Sequence, residues 1–155
     1  MALSFFPQGS PERLAQLMDQ PMISREIIVD QAASLGSLSG SRGLFIEVRL
    51  PSYRSLPLAC IEKISVELDG QLLELSEAMI RIDSKWYSMQ DLPTLTEVWW
   101  FILDFATLFV PVVPTPGIHQ VAVEIVRVEP YITAGRFSFT NTSNAQIDVK
   151  EAACG

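Results

Sequence analysis

The sequence is poor in the residues that most metal and catalytic sites require. It holds one histidine, His119, and two cysteines, Cys60 and Cys154, among 155 residues. One histidine excludes a multi-histidine metal site, and the cysteine spacing matches neither a zinc knuckle nor a disulfide framework. We interpret both cysteines as free thiols in a reducing cytoplasm. Because His119 follows a Pro-Gly turn, a position at the surface or at a strand edge explains it better than catalysis.

Several functional segments are also missing. The chain has no G-x-S-x-G elbow and no glycine-rich phosphate loop. The N-terminus lacks the basic region and apolar stretch of a secretion signal, so we expect a cytoplasmic protein. The longest apolar run, VWWFILDFATLFVPVVP from Val98 to Pro114, is shorter than the roughly 20 residues of a membrane helix. It predicts two short buried strands that turn near Asp104.

Charge is scarce as well. Charged residues make up 19% of the chain, below the usual level of about 25%. The net charge of −7 argues against nucleic acid and anionic membranes as partners. Hydrophobic residues make up 48%, enough for one domain with a core. A small domain with so many hydrophobic residues exposes some of them, which favours a partner subunit that covers part of its surface.

What the sequence does have is alternation with a period of two, which is typical of β-strands. Leu44, Ile46, Val48 and Leu50 would share one face, as would Ile64, Val66 and Leu68. Asp69-Gly70 is a hairpin signal. About eight short strands with turns between them predict an all-β fold, an antiparallel β-sandwich or jelly roll.

Other segments complete the predicted organisation. Ser10-Pro11-Glu12 resembles a helix start, so residues 1–24 are predicted to form a short helical arm. Residues 25–132 form the predicted sandwich, and residues 133–155 a tail that adds edge strands. The polar stretch SLGSLSGSRG, Ser34 to Gly43, is predicted to be a loop. A change in apolar parity at Ile125-Val126 predicts a β-bulge.

One stretch offers candidate contact residues: EVRLPSYRSLPLACIEKISVELDG, Glu47 to Gly70. It places Arg49, Tyr53 and Arg54 around two prolines, between two strand patterns. Arginine and tyrosine are enriched at protein interfaces because they combine large area with directional polar contacts. The alternative is a loop held in place by its own salt bridges.

The tryptophans and carboxylates leave alternatives open. Trp86, Trp99 and Trp100, with Tyr53 and Tyr87, form either a sugar-stacking platform or part of a core or interface. Asp83, Asp91, Glu97 and Asp104 form an acid–base pair only if two of them lie about 5–9 Å apart; otherwise they are solvated turns. We predict no catalytic, cofactor-binding or metal-binding residue in this chain. The candidate residues of a subunit interface or active-site rim are Arg49, Tyr53, Arg54, Trp99 and Trp100.

The same stretch carries a family resemblance. VRLPSYRSLPLACIEKISVELDGQ, Val48 to Gln71, resembles the small β subunit of bacterial C-glycoside deglycosidases. The later segments DLPTLTEVWW, ATLFVPVV and PGIHQVAVEIVRVEPYI follow in the same order. The resemblance covers about Met22 to Ile132, and it rests on an extended pattern.

The resemblance implies a partner and a reaction. Members of this family pair with a larger TIM-barrel α subunit that carries a divalent metal, manganese or magnesium. The complex is a carbon–carbon lyase: it releases an aromatic aglycone, such as a flavonoid, from a C-glycoside already oxidised at C3 of the sugar. This chain would then be a non-catalytic subunit that supports the barrel and shapes the entrance to its site. The alternative is a free-standing carbohydrate-binding module, which should be monomeric and bind sugar by itself.

Overall fold

The computed structural model describes residues 27–52, 54–128 and 138–151, and they fold almost entirely into β-structure. The strands in this part of the chain are β1 (Ile28–Leu38), β2 (Ser41–Arg49), β3 (Leu56–Pro57), β4 (Ile61–Leu68), β5 (Gln71–Leu72), β6 (Met79–Ile82), β7 (Lys85–Ser88), β8 (Trp99–Trp100), β9 (Phe105–Val110), β10 (Gly117–Val128) and β11 (Ser138–Glu151). Within these described ranges, two short 3₁₀ helices span Leu58–Cys60 and Met89–Thr94. The predicted helical arm, residues 1–24, lies outside the described residues.

Nine of these strands form one sheet in the order β5-β4-β10-β11-β1-β2-β9-β6-β7, and β3 pairs with β8 in a small second sheet. Val66 of β4 and Ile80 of β6 stand near opposite ends of the large sheet, yet both belong to one hydrophobic core. The sheet therefore curves around that core in a sandwich-like arrangement, which confirms the predicted β-fold. Leu56, Leu58, Leu92 and Trp100 add to the same core from the small sheet and the 3₁₀ helices.

The clearest sequence patterns form the predicted elements. Leu44, Ile46 and Val48 of β2, and Leu50 just after it, are fully buried on the inner face. Asp69 and Gly70 connect β4 and β5 with φ angles of 51° and 83°. Positive φ at both central residues is the requirement of a tight type I′ hairpin turn, so the predicted turn is confirmed.

The stretch Ser34 to Gly43 was predicted as a loop, and this prediction is wrong. It holds the end of β1 and the start of β2, joined by a turn at Ser39 and Gly40 with φ angles of 52° and 86°. The residues are small because the strands are crowded. A Cβ added at Gly43 would lie 2.4 Å from the Val110 carbonyl oxygen, and one at Gly36 would lie 2.8 Å from the Phe45 ring.

The tail was expected at a sheet edge, but β11 lies inside the large sheet. It pairs antiparallel with β10 along its length and parallel with β1, from Ala32 opposite Asp148 to Leu35 opposite Glu151. Its residues Ala145, Ile147 and Val149 are buried in the core. The sheet is therefore mixed, with one parallel pair among the described strands, rather than purely antiparallel.

The apolar run from Val98 to Pro114 was predicted to form two buried strands, and only the second of them forms as predicted. The first predicted strand shrinks to the two residues of β8, followed by a turn in which the Asp104 N–H donates to the Phe101 carbonyl. The second half is β9, in which residues 106–110 are buried on both faces, as expected. The bulge predicted in β10 at Ile125-Val126 is not found there, because β10 pairs with β11 without interruption from Gly117 to Val128. The register shift opposite Val126 and Arg127 places the extra residue, Glu62, in β4 instead.

Candidate subunit interface

Two connecting segments meet at one place on the surface: the proline-bracketed loop, residues 50–57, and the segment 98–105. Leu56 and Pro57 pair with Trp100 and Trp99 as β3 and β8. The Ile102 N–H donates a 2.8 Å hydrogen bond to the Ser55 hydroxyl. The ladder and this hydrogen bond hold the two segments together, so side chains that point outward from both form one surface.

The segment 99–105 presents an unusual series of exposed apolar side chains. Trp99 is 37% exposed, Phe101 55%, Leu103 80% and Phe105 52%. The even-numbered residue Trp100 is buried and Ile102 is half-buried. From Trp99 to Leu103 every second side chain therefore points to solvent, and after Leu103 both Asp104 and Phe105 are exposed. Contiguous exposed aromatic and aliphatic side chains of this kind mark sites of protein–protein contact more often than free surface.

Arg49 joins this surface from β2. It lies directly opposite Phe105 of β9, and its guanidinium carbon stands 5.6 Å from the centre of the Phe105 ring, a cation–π distance. Its Nε is buried without a hydrogen-bond partner in the described part of the protein. We define the arginine–aromatic patch as Arg49, Arg54, Trp99, Phe101, Leu103 and Phe105.

The sequence-derived candidates divide among three settings. Arg49, Arg54 and Trp99 lie in the patch; the Arg54 side chain is exposed and its backbone N–H donates to the Ser52 hydroxyl at 3.4 Å. Trp100 lies in the core, fully buried, and its indole N–H donates to the Asp104 carbonyl at 3.1 Å. A side chain so enclosed does not offer contact area, which corrects its place among the interface candidates. Tyr53 lies outside the described residues.

Phe101, Leu103 and Phe105 are residues that sequence reasoning missed. The run was interpreted as two strands buried on both faces, so its apolar residues were assigned to the core. The signal that would have found them is Asp104: a carboxylate within an apolar run indicates that the run reaches solvent there. Asp104 is exposed at the turn that precedes β9.

The tryptophans do not form the single stacking platform that was considered. Trp100 is in the core, and Trp86 lies on β7, in an edge-to-face contact with Phe45 at 6.0 Å. Trp99 lines a separate cavity of about 300 Å³ together with Tyr87 and Phe101. Each indole ring thus faces different neighbours.

The four candidate carboxylates are spread over several places. Asp83 and Asp104 line one open groove of about 450 Å³. Asp83 also lines the cavity next to Trp99, with Glu97, whereas Asp91 is exposed on the 3₁₀ helix Met89–Thr94. In the part of the chain that the structure describes, no three His, Cys, Asp or Glu side chains are grouped to hold a metal ion.

His119, the single histidine, is held between two oxygen atoms. Its Nδ1 lies 2.6 Å from a carboxylate oxygen of Asp69, and its Nε2 lies 2.7 Å from the Thr115 carbonyl. Both partners are acceptors, so the doubly protonated ring donates to both, and the hydrogen bond to Asp69 is the main cause of a raised His119 pKa. The same bond, with a second from the Gln120 N–H, lowers the pKa of Asp69. The pair joins a hairpin turn to the start of β10 and has a structural role.

A curved β-sheet around one core, with large apolar side chains exposed on the segment 99–105, places the described part of the chain among small all-β proteins. No helix in that part of the chain has the length and apolar character needed to cross a bilayer. The sequence model of the family described as C-glycoside deglycosidase beta subunit matches residues 23–131. The chain belongs to that family.

Curated relatives agree with this assignment. A 3'-dehydrocarminate deglycosidase beta subunit from a Microbacterium species is 34% identical over 130 residues, which cover 82% of this chain and 96% of the relative. A C-glycoside deglycosidase beta subunit from Arthrobacter globiformis is 32% identical over 68% of this chain and 83% of its own. A C-glycoside deglycosidase beta subunit from Microbacterium trichothecenolyticum is 29% identical, over 80% of this chain and 92% of the relative.

Proposed function

We propose that this chain is the non-catalytic β subunit of a heteromeric C-glycoside deglycosidase and that it binds its larger subunit through the arginine–aromatic patch. The observation that carries the proposal is the exposure of four large apolar side chains within seven residues, in a member of a family described as beta subunits. An isolated domain gains nothing from such exposure, whereas a partner that covers the patch removes the apolar area from water.

The composition of the patch suits an interface. Aromatic residues and arginine dominate the energetic centres of protein interfaces, and truncating one commonly costs about 2 kcal/mol or more. Arg49 is already positioned by the Phe105 ring, so less side-chain entropy is lost when a partner binds it.

The partner in this proposal is a TIM-barrel subunit that holds a divalent metal, manganese or magnesium. The described residues of this chain offer no ligand set for such an ion, so the metal is assigned to the partner. The reaction assigned to the complex is an elimination. The 3-keto group of an oxidised C-glycoside acidifies the hydrogen at C2. Loss of that proton expels the aromatic aglycone from C1 with the electrons of the carbon–carbon bond, and the aglycone is then protonated.

Co-purification tests the proposal directly. The tagged chain is co-expressed with a candidate TIM-barrel α subunit, and Phe101→Asp with Leu103→Asp is compared with the wild type. The double variant should no longer co-purify with the large subunit. A loss of about 2 kcal/mol in binding free energy weakens the affinity about thirtyfold, and two substitutions should cost at least that much. Its melting temperature should stay unchanged, because both side chains are exposed.

The matched control is Ile118→Asp, which changes an equally exposed apolar residue, 58% accessible, on β10. It should retain the large subunit. Retention of the partner by the Phe101/Leu103 variant would overturn the assignment of the interface. Turnover of a 3-oxo-C-glucoside with manganese by the purified chain alone would overturn the non-catalytic role.

A further inference from the structure

The exposed carboxylates beside the arginine–aromatic patch share two openings with its aromatic side chains. Asp83 and Asp104 line an open groove of about 450 Å³ to which Phe105 also contributes. Asp83 and Glu97 line a second cavity, of about 300 Å³, to which Trp99 contributes. All three carboxylates are on exposed residues, so negative charge lies directly beside the apolar surface that is proposed to bind the larger subunit.

The strand register places opposite charges on the two sides of Phe105. On one side of β9, Arg49 of β2 lies directly opposite Phe105. On the other side, Arg81 of β6 lies opposite Thr107, and two residues further along the same antiparallel register Asp83 comes level with Phe105. Because adjacent strands are about 4.8 Å apart, the backbones of Arg49 and Asp83 flank that of Phe105 at about 10 Å from each other.

The other charges of this surface follow the same division. Arg54 is exposed on the proline-bracketed loop, which pairs with the segment 98–105 through β3 and β8. Asp83 lies in the turn between β6 and β7 and faces Trp99 of that segment across the cavity of about 300 Å³. Positive charge therefore reaches the patch from β2 and the loop that follows it. Negative charge reaches it from the β6–β7 turn, from Glu97 and from Asp104.

The carboxylates outnumber the cations on their side of the patch. Four carboxylates and two cations line the two openings, which leaves a net charge of −2: Glu47, Asp83, Glu97 and Asp104 against Arg81 and Lys85. Within the residues that the structure describes, Asp83, Glu97 and Asp104 form no ion pair. A partner that covers these carboxylates must supply positive charge, because burying a charge without an opposite one is strongly unfavourable.

We propose that the larger subunit docks on the patch in one orientation, which the separated charges determine. Its basic side chains face Asp83, Glu97 and Asp104, its acidic side chains face Arg49 and Arg54, and its apolar surface covers the segment 99–105. This inference rests on the proposed subunit role and adds the chemistry of the partner's surface. Charge complementarity of this kind mainly speeds association and fixes the orientation of a complex.

Association kinetics test this orientation. The full-length chain is mixed with a candidate TIM-barrel α subunit in a stopped-flow instrument, and the change in tryptophan fluorescence as Trp99 is covered gives the association rate. One variant combines Asp83→Asn, Glu97→Gln and Asp104→Asn; asparagine tolerates the φ of 50° at residue 83. Its association rate should fall about tenfold at about 10 mM salt, whereas its dissociation rate should stay within about twofold. At about 1 M salt the association rates should converge, because the screening length shortens from about 30 Å to about 3 Å.

The matched control removes three carboxylates elsewhere on the chain, in the variant Glu67→Gln, Glu77→Gln and Glu124→Gln. Both triple variants change the net charge from −7 to −4. The control residues lie on β4, before β6 and on β10, and they line neither opening. The control should associate within about twofold of the wild type. Equal slowing of the two triple variants would assign the effect to net charge and would overturn the proposal.

Arg54→Gln tests the positive side of the patch through the sign of its effect. Where acidic side chains face Arg54, loss of its charge slows association at about 10 mM salt, by about twofold or more. A partner surface that is basic throughout would instead bind this variant faster, and that result would overturn the orientation.

Two further measurements separate this inference from its alternatives. A two-fold axis would also bring opposite charges together in a pair of identical chains, so a salt-dependent dimer of the isolated chain in sedimentation would assign the surface to a second copy and overturn the proposal. The triple variant of Asp83, Glu97 and Asp104 should still co-purify with the larger subunit, because its apolar patch is intact. If the Phe101/Leu103 variant loses the partner while this triple variant associates like its control, the orientation is wrong and the subunit proposal stands.

Discussion

His119 and Asp69 show how single residues connect distant parts of this chain. The raised pKa of His119 means that its contribution to stability is fully present below its ordinary value of 6.5 and is lost as pH rises through the folded pKa. The lowered pKa of Asp69 means that its contribution is present above 3.8 and is lost as pH falls through the folded pKa. The ion pair therefore contributes most between these two ordinary values.

We predict that Asp69→Asn lowers the free energy of unfolding more at about pH 5.5 than at about pH 9, because the imidazole of His119 loses its charge as pH rises and its attraction to Asp69 weakens. The substitution keeps the shape of the side chain and tolerates the positive φ of this turn. Urea unfolding of the wild type and the variant at both pH values measures the difference.

The control for this experiment is Glu67→Gln, which removes one negative charge from an exposed position on the neighbouring strand. Its effect should be small and similar at both pH values. An Asp69→Asn effect that does not change with pH would show that the carboxylate acts only as a turn acceptor for Gln120.

At the scale of elements, the hairpin of β1 and β2 depends on two glycines that lie directly opposite each other, Gly36 and Gly43. Their surroundings differ. A Cβ at Gly43 would meet the backbone carbonyl of Val110 and, at 2.6 Å, the ring of Phe109, whereas a Cβ at Gly36 would meet only the Phe45 side chain. Backbone moves less readily than a ring, so the same substitution should have different costs at the two positions.

We predict that Gly43→Ala destabilises the protein by about 2–3 kcal/mol, the upper part of the range for overpacking. Gly36→Ala should cost about 1 kcal/mol or less, because the Phe45 ring can rotate away. Thermal or urea unfolding of the two variants measures both values. Equal costs would mean that β2 and β9 separate easily at this point, contrary to the register between Leu44 and Val110.

The patch is also a property of elements rather than of single residues. The proline-bracketed loop and the segment 98–105 are joined by the β3–β8 ladder and by the hydrogen bond from the Leu58 N–H to the Val98 carbonyl at 2.7 Å. This framework explains why Trp100 turns inward and Leu103 outward. Substitutions that break the ladder should weaken both folding and binding, whereas those at exposed tips should weaken binding alone.

At the scale of the whole molecule, the outer face of the sheet has two unlike halves. On the β11 side it is polar, with exposed Thr140, Thr142, Asn144 and Gln146. On the β2–β9 side it carries Phe45 and Phe105, with Trp86 of the nearby strand β7 packed against Phe45. A partner that covers apolar area would approach the second half and leave the first in water, which agrees with the place proposed for the interface.

The C-terminal strand β11 contributes to the stability of the whole molecule because it lies inside the large sheet. We predict that Ile147→Ala destabilises the protein by about 2–5 kcal/mol, since Ile147 is fully buried on a strand between β10 and β1. Its neighbour Gln146 is exposed, so Gln146→Ala should stay within about 0.5 kcal/mol. Urea unfolding of both variants is the measurement. If Ile147→Ala lowered the free energy of unfolding as little as Gln146→Ala does, β11 would be an edge strand, as the sequence predicted.

The sequence by itself determined the features that adjacent residues encode. Alternation identified the inner faces of β2 and β4, Asp69-Gly70 specified a hairpin, and the segments from Val48 onward identified the family. The alternation was obscured where the residues are small: Gly36 and Gly43 are typical of a loop in sequence, yet they are small because a backbone carbonyl or an aromatic ring approaches them across the sheet.

Only the tertiary structure decided how distant segments meet. The parallel pairing of β1 with β11 joins the two ends of the described chain, and no local pattern encodes such a pairing. Likewise, Arg49 meets Phe105 because β2 and β9 are neighbours, and Glu47, Thr107 and Arg81 align because the register of three strands places them in one row. Side-chain identity sets what each residue can contact, but strand order and register set which residues are within reach.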